Sequence, residues 1–210
     1  MEVSAQKYIG QNSRVMSSVD TARKIAGDNS RLGRSKADFY PTPPNATNSL
    51  LDMEKFEGDI WEPACGKGDI SEVLIQRGYC VISTDLNDYG YGTPDIDFLN
   101  ENSVFSSPLQ VQDNIITNPP FEIALEFVLQ AKLYSRKKIA MFLKTAFLEG
   151  AKRYEMFQDQ NFPLKCIYQF SKRVNFGIHA GTHKNGGMIP FAWFVWEREY
   201  KGKPYINWIL

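Results

Sequence analysis

The chain has 210 residues, 24 Lys and Arg against 24 Asp and Glu, and a hydrophobic fraction of 43%. That is enough for one domain with an unstapled core, and no apolar run reaches the roughly 18 residues of a membrane span. Three cysteines outside any CxxC pair (Cys65, Cys80, Cys166) and two histidines (His179, His183) exclude a disulfide scaffold and a rich metal site, and fit a reducing, cytoplasmic setting.

Met1 to Ala37 is polar, carries a net charge of +4, and reads as a basic arm ahead of a single domain over residues 38–210. Its first ten residues lack the apolar stretch of a secretory signal. Phe39 to Pro44, FYPTPP, is too rich in proline to be helical. Asn45 to Lys55 is an expected helix, with Asn45 or Thr47 as its cap and Leu50, Leu51 and Met53 available for burial. From Gly58 strands and helices alternate. Strands are expected at Asp59–Trp61, Tyr79–Thr84, Asp95–Leu99, Asn114–Thr117, Ile139–Leu143, Cys166–Phe170 and Ile189–Trp196, with a further extended segment at Tyr205–Leu210. Helices are expected from Asp69 to Gly78, over Glu122–Tyr134 and over Gly150–Gln158. Continuous apolar strands between helices imply a buried, mostly parallel α/β sheet of seven strands with helices on both faces. Only a glycine-rich loop separates the last two of these strands, so the last is expected to be antiparallel.

Ligands of such sheets bind beyond the carboxyl ends of the strands. Three sequences fall there. EPACGKGD, Glu62 to Asp69, has two glycines that let a ligand approach the backbone ahead of a helix N-terminus, although Ser71 stands where a dinucleotide fingerprint has its third glycine. Asp85 closes the second strand, where a carboxylate can accept ribose hydroxyls or cap a turn. Asn118-Pro119-Pro120-Phe121 closes the fourth. Its prolines stiffen the backbone, and Phe121 sets an aromatic face beside the acceptors of Asn118 and Pro119. That combination suits a planar group bearing an amino substituent.

In these motifs the chain resembles the class I S-adenosylmethionine-dependent methyltransferases, and among them the N6-adenine DNA methyltransferases whose cofactor motif precedes the catalytic one. The resemblance spans Asp38 to about Trp196 and implies a Rossmann-like fold with S-adenosyl-L-methionine as cofactor. It makes Asn118, Pro119, Pro120 and Phe121 the catalytic tetrapeptide. Glu62, Ala64 and Gly66 become cofactor-binding residues of the glycine-rich motif, with Asp85 as the ribose acid. Asp97 and Phe98 correspond to a pair that contacts the cofactor adenine, and Tyr40 and Thr42 to a segment that closes over its methionine part. Phe176, in SKRVNF, resembles an aromatic residue that packs on the target base, and Arg173 is a substrate-side candidate. No metal is implied.

The expected partner is nucleic acid, DNA first, with no membrane. RNA bases, cytosine N4 and protein glutamine share the chemistry, and a non-catalytic nucleic-acid-binding subunit or a nicotinamide dehydrogenase are other readings of the fold. Restriction–modification systems and phage genomes are the usual homes of the enzymes this chain resembles. Many of those enzymes have a further sequence-reading domain. Here the basic arm, the Lys132–Arg173 surface and the loop Gly177–Gly187 are the expected readers. Net charge supports that division: −13 over Asp38–Ala131, the cofactor half, and +8 over Lys132–Lys184, the substrate half.

Overall fold

The computed structural model describes residues 41–105, 111–176 and 189–210. The basic arm, Asp38 to Tyr40 and the glycine-rich loop Gly177–Gly187 with its two histidines lie outside them. Helix α1 (Pro44–Met53) leads into strand β1 (Ile60–Glu62), helix α2 (Asp69–Gln76), strand β2 (Val81–Ser83) and the short helix α3 (Glu101–Phe105). Strand β3 (Gln112–Thr117), helix α4 (Ala124–Tyr134), strand β4 (Ser135–Lys144) and helix α5 (Ala151–Phe157) follow. Strands β5 (Leu164–Phe170), β6 (Phe191–Glu197) and β7 (Tyr205–Ile209) complete the sheet.

The seven strands lie in the order β2-β1-β3-β4-β6-β5-β7. Pairings β1–β2, β1–β3, β3–β4 and β5–β7 are parallel. Strand β6 is antiparallel to both of its neighbours, β4 and β5. Six strands therefore point one way, and the reversed one is the strand expected to be antiparallel. Its continuous apolar run has a direct cause. Ala192, Phe194 and Trp196 face one core cluster with Phe127, Val128 and Ala131 of α4. Phe191, Trp193 and Val195 face a second with Leu50 of α1 and Val73 and Leu74 of α2. Both faces of β6 are buried, so no polar alternation survives.

Three local expectations change. Asp95–Leu99 is not a strand: only an isolated Thr84–Thr93 bridge extends the sheet on that side. Asp95 takes φ of 61°, and Asp97 Oδ1 accepts the Leu99 N–H at 3.0 Å, so local side-chain bonding replaces a ladder. The seventh strand is instead Tyr205–Ile209 on the opposite flank. Helix α1 starts at Pro44 with no side-chain cap, since a proline in the first turn is already set at helical φ. Its Met53 is exposed rather than buried. Helix α2 starts at Asp69 as expected, with Gly68 in the left-handed region as its cap. No described helix is long and apolar enough to cross a membrane.

Candidate functional site

Because β1 to β4 are parallel, their carboxyl ends share one edge of the sheet, and the singled-out sequences gather along it. After β1 the chain makes a tight turn: Gly66 has φ of 54° and Gly68 of 86°. The Gly68 N–H donates to the Cys65 carbonyl at 2.8 Å. A Cβ on Gly68 would sit 2.6 Å from the Tyr91 ring, so only glycine fits under that ring. Asp85 ties the turn to the end of β2. Its Oδ2 accepts the Gly66 N–H at 2.9 Å and its Oδ1 accepts the Asn87 N–H at 2.9 Å.

Glu62 ends β1 and is 1% exposed. The Ser71 hydroxyl donates to its Oε2, and the Ser71 and Ser83 hydroxyl oxygens lie 2.6 Å apart. Burial pushes the Glu62 carboxyl well above the usual carboxylate range, and the hydrogen bonds from Ser71 oppose that only in part. The serine in place of a third glycine is therefore the partner of the buried acid. Cys65 beside it is buried too, and burial first, then the Glu62 and Asp85 charges, push its thiol up to about 12. It stays neutral and unreactive at ordinary pH.

The second half of the edge is built on β3. Pro119 is buried, and after Pro120 the chain enters a 3-10 turn, Phe121–Ile123, in which the Ile123 N–H takes the Pro120 carbonyl at 3.2 Å. Asn118 Nδ2 donates to Thr42 Oγ1 at 3.0 Å, across 76 residues of sequence. Thr42 is buried, and the segment after it is held in place where Trp193 Nε1 donates to the Ala46 carbonyl at 2.9 Å. Thr42 thus fixes the Asn118 amide: Nδ2 faces the threonine, and Oδ1 lies on the other edge.

Phe121 meets two groups that sequence reasoning missed. Lys144 Nζ, at the end of β4, lies 4.4 Å from the ring centroid. The Phe191 ring stands at 5.4 Å, tilted by 46°. Phe176 also packs on Phe191, edge-on at 5.0 Å, so Phe121 and Phe176 share one aromatic cluster. The register explains the lysine, because Lys144 and Phe191 are cross-strand partners in β4 and β6. A cation closing a strand one pleat beyond Phe142 was the available signal for it.

The remaining candidates have surroundings of their own. Phe98 is 2% exposed, its ring edge-on to Trp61 at 5.0 Å and against Phe127 at 5.0 Å. It is a core residue beneath the edge. Asp97 is half-buried, its backbone N–H donating to Ser103 Oγ at 3.0 Å. Ala64 is half-buried in the turn, and Arg173 is exposed beyond β5. Among the described residues no group of three His, Cys, Asp or Glu side chains converges.

A seven-stranded, mostly parallel sheet with one reversed strand and a glycine-rich turn after β1 is the fold of the class I S-adenosylmethionine-dependent methyltransferases. The chain is similar to a candidate class I S-adenosylmethionine-dependent methyltransferase from Listeria monocytogenes, with 11% identity, a TM-score of 0.57, and 90% and 72% of the two chains covered. It is similar to a candidate RNA methyltransferase from Pyrococcus horikoshii (16% identity, TM-score 0.58, 78% and 89% covered). It is also similar to the modification subunit of a candidate type I restriction enzyme from Vibrio vulnificus (12% identity, TM-score 0.53, 93% and 52% covered), so it spans about half of that subunit. No protein-family model and no curated protein sequence matches the chain.

Proposed function

We propose that the chain is an S-adenosylmethionine-dependent methyltransferase acting on an exocyclic amino group, adenine N6 in DNA. The observation that carries this reading is the Thr42–Asn118 hydrogen bond, which joins the proline-rich entry segment to the NPPF tetrapeptide at the mouth of the sheet. The cofactor side fits its ligand. Gly66 and Gly68 set a tight positive-φ turn without side chains after β1, and Asp85 retains acceptor capacity, since a carboxylate offers about four lone-pair positions and two are taken here. Gly66, Ala64, Glu62 and Asp85 would hold the cofactor, with Thr42 and Tyr40 closing over it and Asp97 on the adenine side. When bound, the cofactor supplies an electrophilic methyl on a sulfonium.

The adenine amine is a weak nucleophile because its lone pair is delocalised into the ring. Asn118 Oδ1 and the Pro119 carbonyl accept its two N–H groups, which favours the tetrahedral nitrogen of the transition state over the planar ground state. Phe121 stacks on the base and Phe176 backs the cluster. A base in duplex DNA would first be extruded, at a cost of a few kcal/mol. Arg173 and the basic Lys132–Lys184 stretch supply a cationic face suited to phosphate.

The test is transfer of labelled methyl from S-adenosylmethionine to DNA, RNA and protein in parallel, with nucleoside analysis. Label in N6-methyladenine of DNA is the expected result. Label confined to RNA or to glutamine moves the substrate class, and no label anywhere overturns the reading. Thr42→Val, which keeps shape but removes the hydroxyl, should lower kcat by about 10- to 100-fold, the kinetic equivalent of one buried hydrogen bond. Thr42→Ser should stay within a few-fold of the parent, as measured by steady-state methyl transfer.

A further inference from the structure

The Tyr91 ring covers the glycine turn, yet it has no part in the methyl-transfer step. From Leu86 to Thr93 every other residue is exposed, and only Tyr91 turns inward to half-burial. The base of this loop is closed against β2: the Thr93 N–H donates to the Ser83 carbonyl at 2.9 Å, and the Asp85 N–H to the Thr93 carbonyl at 3.1 Å. Gly92, at φ of 67°, permits a close approach. A Cβ there would sit 2.6 Å from the Ser83 carbonyl oxygen and 2.9 Å from Cys65 Sγ. Cys65 Sγ in turn donates to the Tyr91 carbonyl at 3.7 Å. The side chain crosses to Gly68, where ring carbons Cε1, Cε2 and Cζ lie 2.6 Å from where a Cβ would be. Glu72 of α2 and Ser83 of β2 flank its hydroxyl. Burial first, then the Glu72 carboxylate, raise that hydroxyl above its ordinary value, so the phenol stays neutral.

The segment after β2 therefore grips both glycines. Asp85 Oδ2 holds the Gly66 N–H, and the Tyr91 ring lies against Gly68. The backbone bonds of Gly68 are near in sequence, its N–H to the Cys65 carbonyl and its carbonyl to the Glu72 N–H, both at 2.8 Å. The ring ties it to a segment beyond β2. Glycine has more backbone freedom to lose than any other residue, and a turn built on two glycines would lose it when a ligand binds. A turn already held in shape binds without that cost.

We propose that Tyr91 is a positioning residue for the cofactor: its ring clasps the glycine turn at Gly68 and holds it, before S-adenosylmethionine arrives, in the shape that binds it. This rests on the proposed cofactor but not on the identity of the methyl acceptor.

Titration calorimetry with S-adenosylmethionine compares Tyr91→Ala and Tyr91→Phe with the parent, and steady-state kinetics follow on the acceptor found by labelled transfer. Freeing one residue's backbone is equivalent to a loss of affinity of about 5- to 30-fold. Tyr91→Ala should weaken cofactor binding by that factor and raise the KM for the cofactor in parallel. Its kcat at saturating cofactor, and its KM for the acceptor, should stay within about threefold of the parent. Tyr91→Phe, which keeps the ring, should bind the cofactor within about threefold. A ring that only stabilises the fold would lower Tm and leave the affinity of the folded protein unchanged, so cofactor binding by Tyr91→Ala within about twofold of the parent overturns the inference. Tighter binding overturns it too, since the ring would then stand where the cofactor goes. Equal losses in Tyr91→Phe and Tyr91→Ala would assign the effect to the hydroxyl and overturn the role of the ring. If Tyr91→Ala does not fold, Tyr91→Leu, which keeps apolar bulk but not the reach to Gly68, is read by the same outcomes. A parent protein that does not bind S-adenosylmethionine overturns the functional reading itself, and the inference with it.

Discussion

Asn118→Ala is expected to lower methyl transfer by at least about a thousandfold while cofactor affinity, measured by calorimetry, stays within a few-fold. The size follows from the role of Oδ1. An acceptor that strengthens as the amine becomes tetrahedral acts on the transition state, and loss of one such preorganised group typically costs about 100- to 1,000-fold. Here the loss adds to misplacement of the base, because the same amide is pinned to Thr42 at 3.0 Å. Asn118→Asp is the informative companion. An aspartate cannot donate to Thr42, but the threonine hydroxyl can donate to it, so an oriented acceptor survives and a measurable fraction of activity should remain. The pairing also makes a cycle. Thr42→Val should cost about 10- to 100-fold in the parent and almost nothing in Asn118→Ala, since it acts only by orienting an amide that is no longer there. Equal penalties in both backgrounds would mean that Thr42 works independently of Asn118, and turnover undiminished in Asn118→Ala would sink the mechanism.

The strand–helix alternation was legible in the sequence because β4 over Ile139–Leu143 and β6 are buried on both faces, and a doubly buried strand must be written almost wholly in apolar residues. Short motifs at strand ends were legible for a related reason: Pro119, Pro120, Gly66 and Gly68 restrict or free the backbone wherever they occur. Asp95–Leu99 failed as a strand because Asp97 bonds its own backbone two residues on, a local competition that apolar patterning does not register. Phe98 is similar. A phenylalanine beside a strand end reads equally as ligand contact or core, and only the position of Trp61 and Phe127 decides. Two contacts that shape the mouth of the site lie between segments distant in sequence. Phe121 with Lys144 depends on sheet order, and Thr42 with Asn118 joins residues 76 apart in the sequence.

Glu54→Ala is expected to destabilise the protein by about 3–5 kcal/mol at neutral pH, the usual cost of deleting one member of a buried ion pair. Glu54 follows α1 at the opposite edge of the sheet and is 4% exposed. Its carboxylate accepts from Lys138, from Lys165 at 3.0 and 3.1 Å, and from the Tyr168 hydroxyl at 2.9 Å. Burial alone would raise this carboxyl, but the hydrogen bonds from Lys138, Lys165 and Tyr168 outweigh it and hold it below its ordinary value. On Lys165 burial acts downward, and its bonds to Glu197 and Glu54 overcome that and raise it. The sign for Glu54 follows from linkage. A carboxyl lowered in the folded state contributes stability above the unfolded pKa, about 4.3 for glutamate, and that contribution is lost as pH falls through the lower folded value. The gap between parent and Glu54→Ala in urea melts should therefore be widest above about pH 5 and narrow as the medium becomes more acid. Deleting the carboxylate removes a shared partner of two lysines, although Lys165 keeps Glu197 at 2.8 Å and Lys138 keeps the Lys55 carbonyl at 2.9 Å, which sets the expected cost nearer the lower end of the range. For a chain of this size each kcal/mol moves Tm by roughly 2–4 °C, so a drop on the order of 10 °C is the thermal counterpart. The network lies away from Asn118 and Phe121, so the folded variant should keep the parent's methyl transfer at low temperature. A gap under about 1 kcal/mol that does not change with pH would mean that the desolvation cost of these charges cancels their attraction, and that Glu54 specifies where α1 docks without stabilising it.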